Sequence, residues 1–223
     1  MSNILLAGNA ITAEILFSYL KSDARYNVAG CIVDDAFVDK NGISGCRTIG
    51  VSEAVDTFPP ATHRVIMAMG YNDLNRSREA MFTRLRSMGF SIETYIHPDA
   101  RVYSETPVGE GSVVLPGAVV EPHARVGANV MVWSNVTIAH HSSVGDHCWV
   151  AAGTVVSGQA RIQRNTFLGV NSTVVNDVSV GEFNIVGAGA MISRETKPFS
   201  VHLARSAEPF RYSSEEYVKH FGI

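Results

Sequence analysis

The sequence predicts a mixed fold: an N-terminal α/β domain (a Rossmann-like half), then a parallel β-helix, then a short C-terminal helix. Three observations carry this. Every sixth residue from Ile96, Val102 and Val108 through to Val186 and Ile192 is valine, isoleucine or leucine, without a gap. Neither a helix of period 3.6 nor an alternating strand of period 2 gives that spacing, whereas a hexapeptide period marks a β-helix built from one short strand and one corner per unit. The residue four past each anchor, from Ala100 to Thr196, is never larger than valine or asparagine. In a strand, residues two apart face the same way, so each small residue and the following anchor both point inward. Finally, residues 1–94 alternate short apolar runs with helical patterning, as a parallel sheet with crossover helices does.

Along the chain, Ile4–Ala7 reads as a strand, Gly8 as a turn, and Ala13–Lys21 as a helix through Ile15, Leu16, Tyr19 and Leu20. Val28–Val33 is a second strand ending at Asp34-Asp35, and Val65–Met69 a third, followed by the loop Gly70–Asp73. A helix is expected near Asn75–Met88, stopped by Gly89, and Ser91–Ile96 leads onward. In such sheets ligands sit at the carboxyl ends of the strands, at the Gly8–Thr12, Asp34-Asp35 and Gly70–Asp73 loops. Residues 95–197 form the β-helix, three hexads per triangular coil. Glycines just past an anchor (Gly109, Gly127, Gly145, Gly169, Gly181, Gly187) suggest corners needing unusual backbone angles. Residues 198–223 form a tail in which Ser213–Glu216 is a capping box, opening a helix that would cap the open end of the solenoid.

Composition narrows the classes of function. The 223 residues carry a net charge of −3 and are 17% charged, with a sequence pI near 6.2, so no basic field invites nucleic acid. Cys31, Cys46 and Cys148 form no pairing pattern, which fits a reducing cytoplasm. Met1–Leu20 lacks the basic start of a signal peptide, and no apolar run approaches the roughly 20 residues that span a bilayer; membrane insertion is not expected.

Four of the eight histidines cluster: His123, His140, His141 and His147. His123 and His141 are eighteen apart and stack on one edge of the prism. His140 and His141 point outward, because Ile138 and Ser142 take the inward positions. Imidazole titrates near neutrality, which suits a general base. His147 reads as a solvated residue of the polar turn Gly145-Asp146-His147, and His123 as either a support for His141 or a plain corner. The spacings 17, 1 and 6 between these histidines, with no acidic ligand, do not make a zinc set; no metal is expected. Gly8-Asn9-Ala10-Ile11-Thr12-Ala13 is a degenerate phosphate loop that keeps one glycine and a strand–turn–helix start, and Asp34-Asp35 could accept from a ribose or base. Both are equally readable as ordinary loops.

The segments Val132–Asn135, Ile138–Cys148, Val156–Gly158, Phe167–Thr173, Ile185–Ala190 and Met69–Arg76 resemble those of bacterial sugar acyltransferases of the sialic acid O-acetyltransferase group. That group includes N-acetyltransferases of nucleotide-linked amino sugars, and the resemblance covers almost the whole chain. It implies a left-handed coil, a homotrimer, acetyl-CoA as acyl donor in the groove between neighbouring β-helices, and a role in bacterial surface polysaccharide or glycan biosynthesis. By position it implies His140 as the base with His141 beside it, and Trp149, Gly158, Val170 and Ala188 near the cofactor. Asn9, Ala10, Ile11, Asp34, Asp35, Gly70, Tyr71, Asn72 and His123 would lie at the nucleotide sugar. The chain departs from the group in two places: His141 stands where an acidic residue often follows the base, and Trp149 where a second histidine often lies. O-acetylation of a sugar or sialic acid, or a non-catalytic nucleotide-sugar-binding scaffold, remain alternatives at this point.

Overall fold

The computed structural model describes residues 1–38, 43 and 45–222. At the N-terminus β1 (Ser2–Ala7), α1 (Ile11–Lys21), β2 (Tyr26–Val33), β3 (Thr48–Gly50), α2 (Ala54–Thr57), β4 (His63–Met67), α3 (Arg76–Ser87) and β5 (Ser91–Ile92) follow one another. All five strands are parallel, in the order β3-β2-β1-β4-β5. The chain starts centrally and winds out first one way and then the other, so the order reverses between β1 and β4. β4 ends two residues before the expected Met69, and α3 lies inside its expected bounds, with Gly89 at φ +92° just beyond. β3 and α2 were not expected: runs of three and four residues are too short to show a period.

Both faces of this sheet are buried. Leu5, Ala7, Val65 and Met67 face Ala54 of α2 and Met81, Phe82 and Leu85 of α3. Ile4, Leu6 and Ile66 face Leu16 and Leu20 of α1, and this core continues into Tyr95, Val113, Met131 and Trp149 of the β-helix. The two units therefore share one hydrophobic core.

The β-helix is a stack of two-residue strands in which each residue pairs with the one eighteen later, as in Val113↔Met131↔Trp149↔Phe167↔Ile185. That column faces outward on the first face of the prism. Arg101, Val119, Thr137, Val155, Thr173 and Met191 face outward on the second, and Arg125, Ser143, Arg161 and Ser179 on the third. The anchors from Val114 to Val186 and the small column from Ala118 to Ala190 form one buried interior. A fully buried Val or Leu contributes roughly 1.5–3 kcal/mol, so the repeat stabilises itself. Pairing runs on to Val201–His202 against Ile185–Val186, past the expected end at residue 197.

Two expectations are corrected. The glycines after the anchors do not have positive φ. Every sixth residue from Gly111 to Gly189 does, including His123 (63°), His141 (60°), His147 (61°) and Asn171 (54°). The glycines serve close stacking instead: a Cβ on Gly109 would fall 2.3 Å from the Gly127 carbonyl, and one on Gly145 2.9 Å from the Arg164 nitrogen. The second correction concerns α4 (Ser214–Phe221). Its capping box forms, with the Ser213 N–H donating to Glu216 Oε2 at 2.8 Å. Yet none of its residues is buried, so it does not close the end of the coil.

Candidate active site

The corner between the second and third faces carries His123, His140 and His141, and the next corner, between the third and first faces, carries His147. Each corner has three residues, and the third takes left-handed backbone, which Asn, Asp and His tolerate better than other side chains. That requirement explains why His123, His141 and His147 stand where they do, each at such a position. His140, at the second corner position, has no such backbone reason. Its backbone N–H donates to Glu121 Oε2 at 2.8 Å. Its Nδ1 lies 3.2 Å from Nδ1 of His141, the rings edge to face at 81°. His141 in turn stacks on His123 one coil away, with centroids 4.7 Å apart. Two facing Nδ1 atoms share one proton, and when His140 donates it, its Nε2 keeps the free lone pair. Nε2 lies on the side of Gly158, 2.8 Å from where a Cβ would stand. The Gly158 N–H, at the same corner position one coil on, meets no acceptor among the described residues. The site thus pairs an oriented, exposed imidazole with an unspent backbone donor.

Val170 and Ala188 stack eighteen apart on a different edge, between the first and second faces, both exposed. Within one chain they do not converge on His140. Trp149 does not join the histidines either. It is 4% exposed and packed in the core shared with the α/β unit, under Tyr71 (5.0 Å between centroids) and beside Trp133 (5.6 Å). Within one chain the residue expected near the cofactor is thus covered by the α/β unit and lies away from the His140 edge. His147 is corrected, since it is not a solvated corner. Its ring lies against Phe82 at 5.7 Å, Nδ1 meets Asn129 Nδ2 at 2.9 Å and Nε2 is 3.6 Å from Glu79. Burial pushes its pKa below the usual imidazole value, with Glu79 opposing.

At the carboxyl ends of the strands, Asn9 donates from Nδ2 to the Phe37 carbonyl at 2.9 Å, tying the two loops together. Ala10 is the N-cap of α1 and offers no side-chain cap; Ala13 donates to its carbonyl at 2.8 Å, so the N–H groups of exposed Ile11 and of Thr12 are the ones that stay available. Asp34 pairs with Arg84 at 3.2 Å. Asp35 Oδ1 accepts from the Ser52 N–H (3.1 Å) and hydroxyl (2.8 Å), which holds its carboxyl below the ordinary range. That oxygen of Asp35 therefore serves the fold. After Gly70, Tyr71 is 51% exposed and lies on Trp149 and Phe167; Asn72 is exposed beside it. Asp73, Leu74 and Asn75 are all left-handed (φ 50°, 51° and 62°). Buried Asn75 accepts from Arg78 at 3.0 Å, fixing this strained turn.

Sequence reasoning missed the aromatic wall of Trp133, Phe167 and Trp149 beneath Tyr71. Its signal lay in the outward column Tyr95, Val113, Met131, Trp149, Phe167, which is apolar where an exposed face would be polar. Arg78 was also missed. It is fully buried and donates to Asn129 Oδ1, to Asn75 Oδ1 and to the carbonyls of Asn129, His147 and Cys148.

The α/β unit sits on the first face, and the His140 edge, between the other two faces, lies opposite it. No group of three candidate metal ligands occurs among the described residues, and no described helix is long and apolar enough to cross a membrane.

The family model of the bacterial transferase hexapeptide (six repeats) matches residues 123–158. A perosamine N-acetyltransferase of Caulobacter crescentus, solved with CoA and GDP-perosamine in a variant with one histidine replaced, is 22% identical, with a TM-score of 0.81 over 92% of this chain and 94% of its own. The acetyltransferase domain of PglB from Neisseria gonorrhoeae, in complex with acetyl coenzyme A, is 22% identical, with a TM-score of 0.81 over 93% of this chain and 98% of that one. WeeI from Acinetobacter baumannii gives 17% identity and a TM-score of 0.80, over 90% and 96% of the two chains. No curated protein matches the sequence. At these identities the likeness establishes the fold.

Proposed function

We propose that this chain is an acetyl-CoA-dependent N-acetyltransferase of a nucleotide-linked amino sugar, working as a cytoplasmic homotrimer with His140 as general base. The observation that carries the reading is His140 itself: an exposed imidazole held through Nδ1 by His141, with its far edge against Gly158. The fold shared with enzymes solved with CoA, acetyl coenzyme A and GDP-perosamine supports both substrates. The neutral amine attacks the thioester carbonyl, and His140 Nε2 takes the proton that the nitrogen loses. The Gly158 N–H stabilises the oxyanion. The C–S bond then breaks, and the departing thiolate takes the proton back from the imidazolium.

The N-terminal unit reads as a Rossmann-like half that holds the nucleotide at Asn9–Ile11, Asp34 and Gly70–Asn72, beside the uncapped start of α1. The trimer rests on the second face, whose outward column after Arg101, namely Val119, Thr137, Val155, Thr173 and Met191, is β-branched or apolar, with Met191 66% exposed. Packing these left-handed prisms by that face brings the His140 edge of one copy to the Val170 and Ala188 edge of the next. It also accounts for a nucleotide unit and a base that lie on opposite sides of one chain.

The test is thiol release from acetyl-CoA against a panel of nucleotide-linked amino sugars. Turnover with one acceptor, reduced roughly 10²- to 10⁴-fold in His140→Ala with unchanged melting, is the expected result. Full activity in His140→Ala would sink the proposal.

A further inference from the structure

The third face of the β-helix adjoins the histidine edge, and its outward column is Arg125, Ser143, Arg161 and Ser179, aligned by strand pairing. His123, Arg125, His141, Ser142, Ser143 and Arg161 line a hollow of about 420 Å³, with no carboxylate among them. Arg25, Arg64, Arg76, Arg84, Arg86 and Arg164 each face a carboxylate. Arg125 and Arg161 face none among the described residues, although both are exposed. Neighbouring strands lie about 4.8 Å apart, so these arginines, two strands apart, stand about 10 Å from one another. Two long side chains can close on one group from that separation. The Ser143 hydroxyl lies between them, and the edges of His123 and His141 bound the same space.

Unpaired guanidinium groups on a rigid strand pair suit a tetrahedral oxyanion, to which each offers a fork of donors. We propose that this hollow is a phosphoryl-binding subsite. Given acetyl transfer at His140, on which this step rests, the phosphoryl group comes either from the 3′-phosphate of CoA or from the diphosphate of the nucleotide sugar. The anion site itself stands on the arginine ladder alone.

Calorimetric titration of the full chain with pyrophosphate, CoA, 3′-dephospho-CoA and nucleoside diphosphates tests it, with wild type beside Arg125→Gln, Arg161→Gln and the double variant. Light scattering follows the assembly. Pyrophosphate binding should weaken about tenfold in each single variant and vanish in the double variant, with melting unchanged. CoA binding that falls while 3′-dephospho-CoA binding holds assigns the site to CoA; nucleoside diphosphate binding that falls assigns it to the nucleotide. Pyrophosphate that fails to bind wild type, or binds the double variant equally well, overturns the proposal. So does dissociation of the oligomer in the double variant, which would make this face a contact between copies. Pyrophosphate binding without acetyl transfer to any acceptor would leave the subsite standing and sink the acetyltransferase reading.

Discussion

A Cβ on Gly158 would fall 2.6 Å from Cε1 and 2.8 Å from Nε2 of His140. An added methyl forces the ring off its present position beside His141. Gly158→Ala is therefore expected to lower kcat about tenfold or more while leaving the melting temperature nearly unchanged, because the displaced ring is exposed. Steady-state kinetics beside thermal unfolding separate the two effects. A rise in KM alone, with kcat intact, would show that the ring position does not matter to the chemical step. His141 also answers to two demands. The left-handed corner selects a small set of residue types, and within that set only histidine brings an Nδ1 to its neighbour.

Among the elements, the coil imposes two separate rules on its corners. Close stacking excludes side chains at the glycines just past some anchors, such as Gly109, Gly127 and Gly145, and left-handed backbone recurs two residues later at every corner from Gly111 to Gly189. Gly145→Ala puts a methyl 2.9 Å from the Arg164 nitrogen and 3.0 Å from the Ile162 carbonyl. Because both are backbone atoms that cannot move without shifting the coil, the variant should lose about 1–3 kcal/mol. Gly189, at φ +68°, has nothing within 4 Å of such a Cβ. Gly189→Asn should cost less than about 1 kcal/mol, since asparagine tolerates that conformation. Urea unfolding of both variants checks the contrast, and equal losses would refute it.

For the molecule as a whole, the seam between α3 and the β-helix matters most. Arg78 crosses it with five acceptors around one guanidinium, and burial lowers its pKa to about 10, still charged near neutrality. In Arg78→Met the Cys148 carbonyl keeps the Met131 N–H at 3.0 Å, while the other four acceptors lose their donor, at about 1–3 kcal/mol for each one that water cannot reach. The variant should lose several kcal/mol in denaturant unfolding, and a loss under about 1 kcal/mol would contradict this account. His147 lies in the same seam, with its folded pKa below the usual value through burial. The unfolded chain then binds the extra proton first as the pH falls. Stability is full above about pH 6.5, declines below it, and the decline is complete once the pH passes the lowered folded pKa. His147→Asn, which suits the left-handed corner, should flatten that slope in melting temperature against pH below about 6.5.

Much of this was legible in the sequence because the repeat writes its geometry into a fixed period. The anchors, the small column, the eighteen-residue coil, the outward His140 and the stack of His123 on His141 all follow from counting, since each hexad meets the same neighbours as the last. What was misread or missed depends on neighbours far along the chain. Coil-to-coil contact, not φ, excludes side chains at Gly109 and Gly145. The α/β unit buries Trp149 and His147, which a period places outside. α4 satisfies its own caps and meets Phe210 and Tyr212 of the tail, yet buries none of its residues. Local spacing determined the coil and the edge that carries His140. Tertiary packing alone decided which face of that coil is covered and which stays open, because burial by a segment fifty or more residues away leaves no period to read.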